Sequence, residues 1–289
     1  MTTLADMSRS LSAPSIGAFP PAPRPAAPIE AGQLRVEEQF NAGFINLLGT
    51  LPYQPDDFDV DRRRLARVVF EVPYCRIAEK LRKLRTRLKY GTGLDANRTI
   101  VVTSAAIAEG KSVVAGNLAA ALALDGRRTL LVDANFARPS LHRTFGVDFS
   151  PGFTDLLKNP DYCTSLATET DLLGLSLLTC GQTIGFSMEW LLPEMVLPLM
   201  ARALQSFDHV IFDAGTLTSA PAVALGRLVN GVITVVKAHT GDVEVMKRLA
   251  VAMRRYHINH LGSVLNGVRP ISGGRERPSA GTARDGQAA

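Results

Sequence analysis

The chain has 289 residues, 32 Lys and Arg against 27 Asp and Glu, a net charge of +5 and 46% hydrophobic residues. That supplies a sizeable core, while no apolar run approaches the roughly 18 to 20 residues that span a bilayer. The N-terminus lacks the basic-then-apolar layout of a secretory signal, so the reading is a cytoplasmic protein. The three cysteines, Cys75, Cys163 and Cys180, are odd in number and lack metal-ligand spacing, and they read as reduced, ordinary thiols.

Residues 1–69 form the first region. The Pro/Ala/Ser stretch from Ala13 to Pro28 and the lack of sustained periodicity predict a mostly disordered arm with a basic segment at its end. Residues 70–271 carry nearly all the apolar periodicity and read as one domain, and the Gly-, Arg- and Ala-rich tail 272–289 is expected to fray. Eleven Lys and Arg lie between Arg62 and Lys89 against only Glu71 and Glu79. Charge alone fits nucleic acid or an anionic membrane surface. Without interleaved aromatics or a nucleic-acid module, no nucleic acid is expected.

A helix is predicted over residues 74–89. Ile77, Leu81, Leu84 and Leu88 make one apolar stripe, and Glu79, Arg82 and Arg85 recur every three residues around another side. By itself that second side reads as a solvated charged face. Gly91-Thr92-Gly93-Leu94-Asp95-Ala96 matches the dinucleotide fingerprint but precedes a strand instead of following one, so it reads as a linker.

Thr99 to Thr103 is a β-branched run suited to a buried strand, and Ser112 to Leu124 is an Ala- and Leu-rich helix that stops at Asp125-Gly126. The small-residue loop between them ends in Gly110-Lys111-Ser112. A loop of backbone N–H groups at a helix N-terminus cradles phosphate. Ala108, Glu109, Gly110, Lys111, Ser112 and Val113 are the candidates for that cradle. Lys111 adds a point charge, and the Ser112 hydroxyl suits the magnesium that accompanies a nucleotide. The expected ligand is ATP or GTP. Ala105 stands where the usual pattern has Gly, and Ala108 sits in a loop that favours positive φ.

Strand-like runs recur at Thr129 to Asp133, Leu175 to Thr179, His209 to Asp213, Gly231 to Val236 and Leu261 to Asn266, mostly separated by helical stretches. The alternation predicts an α/β fold with a mainly parallel sheet covered by helices on both faces, and ligands at the carboxyl ends of its strands. Asp133 and Asp213 each close a strand there. Either alone also reads as a turn or helix-cap aspartate. Together with Gly-Lys-Ser they suit magnesium, or its waters, beside a triphosphate.

With these residues in place, roughly residues 74 to 268 resemble the bacterial tyrosine kinases of capsule and exopolysaccharide systems, P-loop NTPases related to the ParA/MinD group. Ser104 to Ser112 corresponds to Walker A, Leu130 to His142 to Walker A′ and Phe207 to Asp213 to Walker B. Leu261 to Val268 resembles the last core strand, and Glu79-x-x-Arg82-x-x-Arg85 matches the E-x-x-R-x-x-R subunit-contact motif. The resemblance implies ATP and Mg2+ as cofactors, with Lys111 and Ser112 on phosphate and metal. It also implies that Asp133 helps to activate an acceptor hydroxyl, that Asp213 orders the metal's water shell, and that Asn266 reads the adenine edge, although Asn266-Gly267 also reads as a turn. Glu79, Arg82 and Arg85 would join subunits of a homo-oligomer, ring-shaped in this group, that docks on a membrane polysaccharide chain-length regulator.

The sequence departs from that pattern in several places. Asn135 replaces the second acid of D-x-D, Ala137 the Arg that follows, and Ala214-Gly215-Thr216 the Thr-Pro-Pro after Walker B. Asn135 can ligate magnesium through its amide oxygen but brings no charge, which weakens metal affinity and base strength together. The last tyrosine is Tyr256, within a predicted helix, which argues against phosphorylation of a tail. Tyr53, Tyr74, Tyr90 and Tyr162 read as packing or partly exposed surface. These departures leave a nucleotide-gated, non-catalytic interaction protein as the alternative. A ParA/MinD-type positioning ATPase ranks last, because the loop lacks a second lysine upstream of Lys111.

Overall fold

A computed structural model describes residues 47–52, 62–94, 96–160, 166–238 and 243–268. Eight strands form one sheet: β1 (Leu47–Pro52), β2 (Thr99–Ser104), β3 (Thr129–Ala134), β4 (Thr168–Glu169), β5 (Leu175–Leu178), β6 (His209–Thr216), β7 (Gly231–Lys237) and β8 (His260–Val268). Their order across the sheet is β1-β8-β7-β2-β6-β3-β5-β4. Every pairing is parallel except that of the two-residue β4 with β5.

The strands bury both faces, as the near-continuous apolar runs predict. Ile100, Val102, Leu131 and Ile211 point into one layer, and Val101, Leu130, Val132, Val210 and Phe212 into the other. The first layer holds the short helix α1 (Val68–Glu71), entered through a 3-10 turn at Arg62–Arg67, and the longer helices α2 (Arg76–Gly91) and α3 (Lys111–Leu124). The second holds α5 (Phe153–Lys158), α6 (Pro193–Ser206) and α7 (Ala220–Leu228), together with Met253 of α8 (Val243–Arg255). The small helix α4 (Leu141–Phe145) follows β3 and adds Leu141 and Phe145 to the first layer.

The expected stripe on α2 is buried: Ile77, Leu81, Leu84 and Leu88 all face the core. α2 and α3 run side by side in the same direction. Arg85 pairs with Asp125 at 3.2 Å and donates to the Ala121 carbonyl at 3.3 Å, and one turn later Lys89 reaches Asp125 at 3.3 Å.

The sheet and its first layer begin before residue 70, where the sequence reading drew the edge of the domain. β1 pairs with β8 and buries Leu48 and Leu51. Ala66 packs so tightly on α3 that a Cβ on Gly116 would stand 2.6 Å from the Ala66 carbonyl oxygen, which accounts for a glycine inside a helix. Asn117, fully buried one residue later, accepts from the Val69 amide at 2.8 Å and donates to the Leu65 and Val113 carbonyls. The rest of the expected arm, the tail 272–289, Tyr53, Tyr162 and Cys163 lie outside the described residues.

Candidate functional site

The loop Ala105–Gly110 joins β2 to α3 at the carboxyl end of the sheet. Ala108 has φ 61° and Gly110 φ 94°, so two residues adopt the left-handed backbone that the small-residue spacing anticipates. No side chain caps α3 at Gly110. The first intrahelical bond runs from the Val114 amide to the Gly110 carbonyl at 3.0 Å. The amides of Lys111, Ser112 and Val113 therefore have no intrahelical acceptor and present an anion-binding end.

The loop is braced from within and from behind. Glu109 folds back so that its carboxylate accepts from the Ala106 amide at 2.9 Å and from the Lys237 amide of β7 at 3.4 Å. Burial raises the Glu109 pKa. Asn266 of β8 donates its amide to the Glu109 carbonyl at 2.9 Å, and a Cβ on Gly110 would stand 2.2 Å from that amide nitrogen. Asn266, expected at an adenine edge, thus serves the phosphate loop with one of its donors. Sequence reading missed both clasps, which join residues 157 and 128 positions apart.

The two aspartates expected to end strands are register partners, but β3 continues one residue past Asp133 and β6 three residues past Asp213. β6 lies between β2 and β3, and Asp133 of β3 stands opposite Asp213 of β6. Side chains alternate along a strand. Because Leu131 and Ile211 face the α3 layer, the residues two positions on face it too. Both aspartates are fully buried.

Their environments differ. Asp133 accepts from the Ser140 and Leu141 amides at 2.9 and 3.0 Å, which caps α4, and from the Asn135 amide at 3.2 Å. The cap reading of Asp133 therefore holds. Neither oxygen of Asp213 has a hydrogen-bond partner. The Ser112 hydroxyl is near enough to favour its ionised form, though not in hydrogen-bond geometry. Burial first, and then the negative charge of Asp133, push the Asp213 pKa up to about 8. Burial likewise raises that of Asp133. The charge of Lys111 opposes the shift at Glu109, Asp133 and Asp213 alike, so the ammonium lies within electrostatic reach of all three.

Asn135 is buried beyond β3, with its amide oxygen toward Gly215, and Thr103 donates to the Gly215 carbonyl at 2.6 Å. A hollow of about 880 Å³ adjoins Ala105 and Ala106 between α7 and α8, with Arg227, Leu249 and Tyr256 in its lining.

Two fully buried carboxyl oxygens with no donor are costly unless a cation or a proton meets them. Among the described residues no three acid, His or Cys side chains gather into a metal cage. The donor set fits a hard cation that takes one or two carboxylates, a hydroxyl and the oxygens of a bound phosphate.

The subunit-contact residues have uneven surroundings. Glu79 is exposed and pairs with Lys83 at 2.5 Å. Arg82 donates to the Pro73 carbonyl at 2.6 Å. Arg85 is engaged within its own subunit by Ala121 and Asp125.

A glycine-turned loop entering a helix N-terminus, its lysine facing acids on two adjoining parallel strands, defines a P-loop NTPase fold. No protein-family model matches the sequence. The tyrosine-protein kinase ptk of Acinetobacter johnsonii is 28% identical over 199 residues, 68% of this chain but 27% of that longer protein. YwqD of Bacillus subtilis, also a tyrosine-protein kinase, is 27% identical over 193 residues, 66% of this chain and 81% of its own length. The solved chimeric protein CapA2B2 superposes with a TM-score of 0.72 at 26% identity, covering 81% of this chain and 99% of that one. In sequence the chain is similar to these bacterial tyrosine-protein kinases, and in fold to CapA2B2.

Proposed function

We propose that the chain is an ATP-binding, magnesium-dependent protein-tyrosine kinase that regulates exopolysaccharide or capsule production. The observation that carries this reading is Asp213, buried with two unpartnered oxygens, in register with Asp133 and within reach of Lys111 at an uncapped helix N-terminus.

The amides of Gly110 to Val113 and the Lys111 ammonium hold the phosphates, and Ser112 and Asp213 hold the cation or its waters, with Asn135 at the rim. Magnesium, when bound, neutralises the phosphate oxygens between which charge shifts during transfer. Asp133 keeps the segment after β3 in place and accepts the acceptor's proton. Burial raises its pKa, which makes it a stronger base than an exposed aspartate. Asn266 and Glu109 keep the loop in one conformation, so little reorganisation is left to the moment of reaction.

The exposed Glu79 and the motif around it support assembly into a homo-oligomer. No helix among the described residues is long and apolar enough to cross a membrane, and docking on a membrane chain-length regulator is the corresponding proposal for how the protein reaches its site of action. Incubating the purified chain with labelled ATP and magnesium tests the reading. Phosphotyrosine is expected, and none in a Lys111→Met control. Nucleotide binding without transfer would point instead to a nucleotide-gated interaction protein.

A further inference from the structure

We propose that Tyr74 is the phosphate acceptor, offered by one copy of the chain to the phosphate loop of another; the inference rests on the kinase reading above. Tyr74 is 98% exposed, more than any other large hydrophobic side chain among the described residues. The sequence reading of packing or partly exposed surface does not hold for it. A ring left wholly in water contributes nothing to the core, and its place in a short turn suits entry into another molecule's site.

That turn, between α1 and α2, is held from both sides. Arg82, the middle residue of the E-x-x-R-x-x-R motif, donates to the carbonyl of Pro73 at 2.6 Å, and the Cys75 sulfur caps α2 by accepting from the Ala78 amide at 3.3 Å. Arg82 thereby acquires a positioning role within its own chain. It fixes the backbone immediately before the acceptor and leaves the phenol free.

The packing of α2 on α3 separates Tyr74 from the other described tyrosines. The two helices touch at Arg85 with Ala121 and at Lys89 with Asp125, each pair 36 residues apart. Carried back along both helices, that constant offset sets the start of α2 level with the start of α3, which is the phosphate loop. Tyr74 therefore stands at the nucleotide end of the molecule. Tyr90 is also exposed, at 79%, but it lies in the last turn of α2, about 20 Å further along the helix axis, with the Lys89 ammonium 5.7 Å from its ring. Tyr256 lines the hollow beside α7 and α8 and is 40% exposed.

In the transfer, the Tyr74 phenol oxygen forms a bond to the γ-phosphorus of ATP as the bond from that phosphorus to the β–γ bridging oxygen breaks. ADP leaves, and the phenol proton passes to Asp133 of the copy that holds the nucleotide. The product places a phosphate just before the N-terminus of α2, beside Arg76, where the helix dipole and the guanidinium both favour its charge.

Lys111→Met copies, which bind nucleotide weakly and are expected to form no phosphotyrosine by themselves, are mixed with wild-type copies and MgATP, and the tyrosine phosphate on each is mapped by mass spectrometry. The Lys111→Met chain is expected to carry phosphate on Tyr74, and a Lys111→Met/Tyr74→Phe chain to lose at least ten-fold of the incorporated label. Arg82→Ala in the acceptor copy should slow its labelling without changing ATP affinity in an otherwise wild-type chain. Undiminished labelling of the double variant, or phosphate at other tyrosines only, overturns the assignment of Tyr74 and leaves the kinase reading standing. Wild-type chain that binds MgATP but forms no phosphotyrosine overturns both.

Discussion

Lys111 and Asp213 carry opposite charges within electrostatic reach of each other, and each makes a separable prediction. On the proposed function, Lys111→Met would remove a charge-assisted contact to phosphate, a contact of roughly 1.5–3 kcal/mol. ATP affinity should fall by roughly 10- to 100-fold in a calorimetric titration, with the melting temperature little changed. Asp213 acts through pH. Its carboxyl has a folded pKa raised above the unfolded value, so the nucleotide-free fold is favoured at low pH and loses that contribution as pH climbs from about 4 through the raised value. Asp213→Asn should therefore stabilise the nucleotide-free protein more at pH 8.5 than at pH 5. The expected gain at the higher pH, read from urea midpoints, is at least roughly 1–3 kcal/mol, because the variant avoids a buried charge without a partner, which costs more than a neutral polar group. Binding a divalent cation requires the ionised form. Between pH 6.5 and 8 the magnesium-dependent part of ATP binding should strengthen and release a proton in the wild type, and the Asn variant should show neither.

At the scale of elements, the phosphate loop is a β2–α3 turn clamped by β7 and β8. Gly110→Ala would force a Cβ to within 2.2 Å of the Asn266 amide at a φ of 94°. ATP binding should be lost while circular dichroism keeps the native helix content. Ala108→Gly should be tolerated, because the left-handed conformation costs a non-glycine residue about 1–2 kcal/mol there. The strands of this site were legible because parallel, doubly buried strands are written as continuous β-branched runs, and Asp133 and Asp213 were legible near their carboxyl ends, although β6 runs on to Thr216. The clasp of Asn266 on Glu109 was not. It depends on β8 lying next to β7, and nothing local to Leu261–Val268 encodes that neighbour. Tyr74 was illegible for a related reason: a Val-Pro-Tyr-Cys turn does not reveal whether its aromatic ring turns inward or outward.

For the whole molecule, β1 is the main departure from what the sequence suggests. Leu-Leu-Gly-Thr-Leu-Pro contains a glycine and a proline and follows a Pro/Ala-rich stretch, so its local signal is weak. It becomes a strand because the edge of β8 is there to pair with it. A chain beginning at residue 53 would expose that edge and remove the buried Leu48 and Leu51. It should lose roughly 3–6 kcal/mol at about 1.5–3 kcal/mol per buried leucine and aggregate more readily, by urea denaturation and light scattering. Assembly belongs to this scale too. The family resemblance implies a subunit contact for the charged side of α2, yet Arg85 ties α2 to α3 within one chain. Light scattering of a Glu79→Ala variant is therefore a cleaner probe of assembly than one of Arg85→Ala, which also loosens the monomer.

The central claim is a nucleotide site shared by α3, β3 and β6, and ATP titration of the wild-type chain at pH 8, with and without magnesium, tests it most directly. The account predicts saturable binding that magnesium strengthens at least ten-fold and that Asp213→Asn makes indifferent to the metal. Absence of binding, or binding of equal strength in both conditions for the wild type, would contradict it.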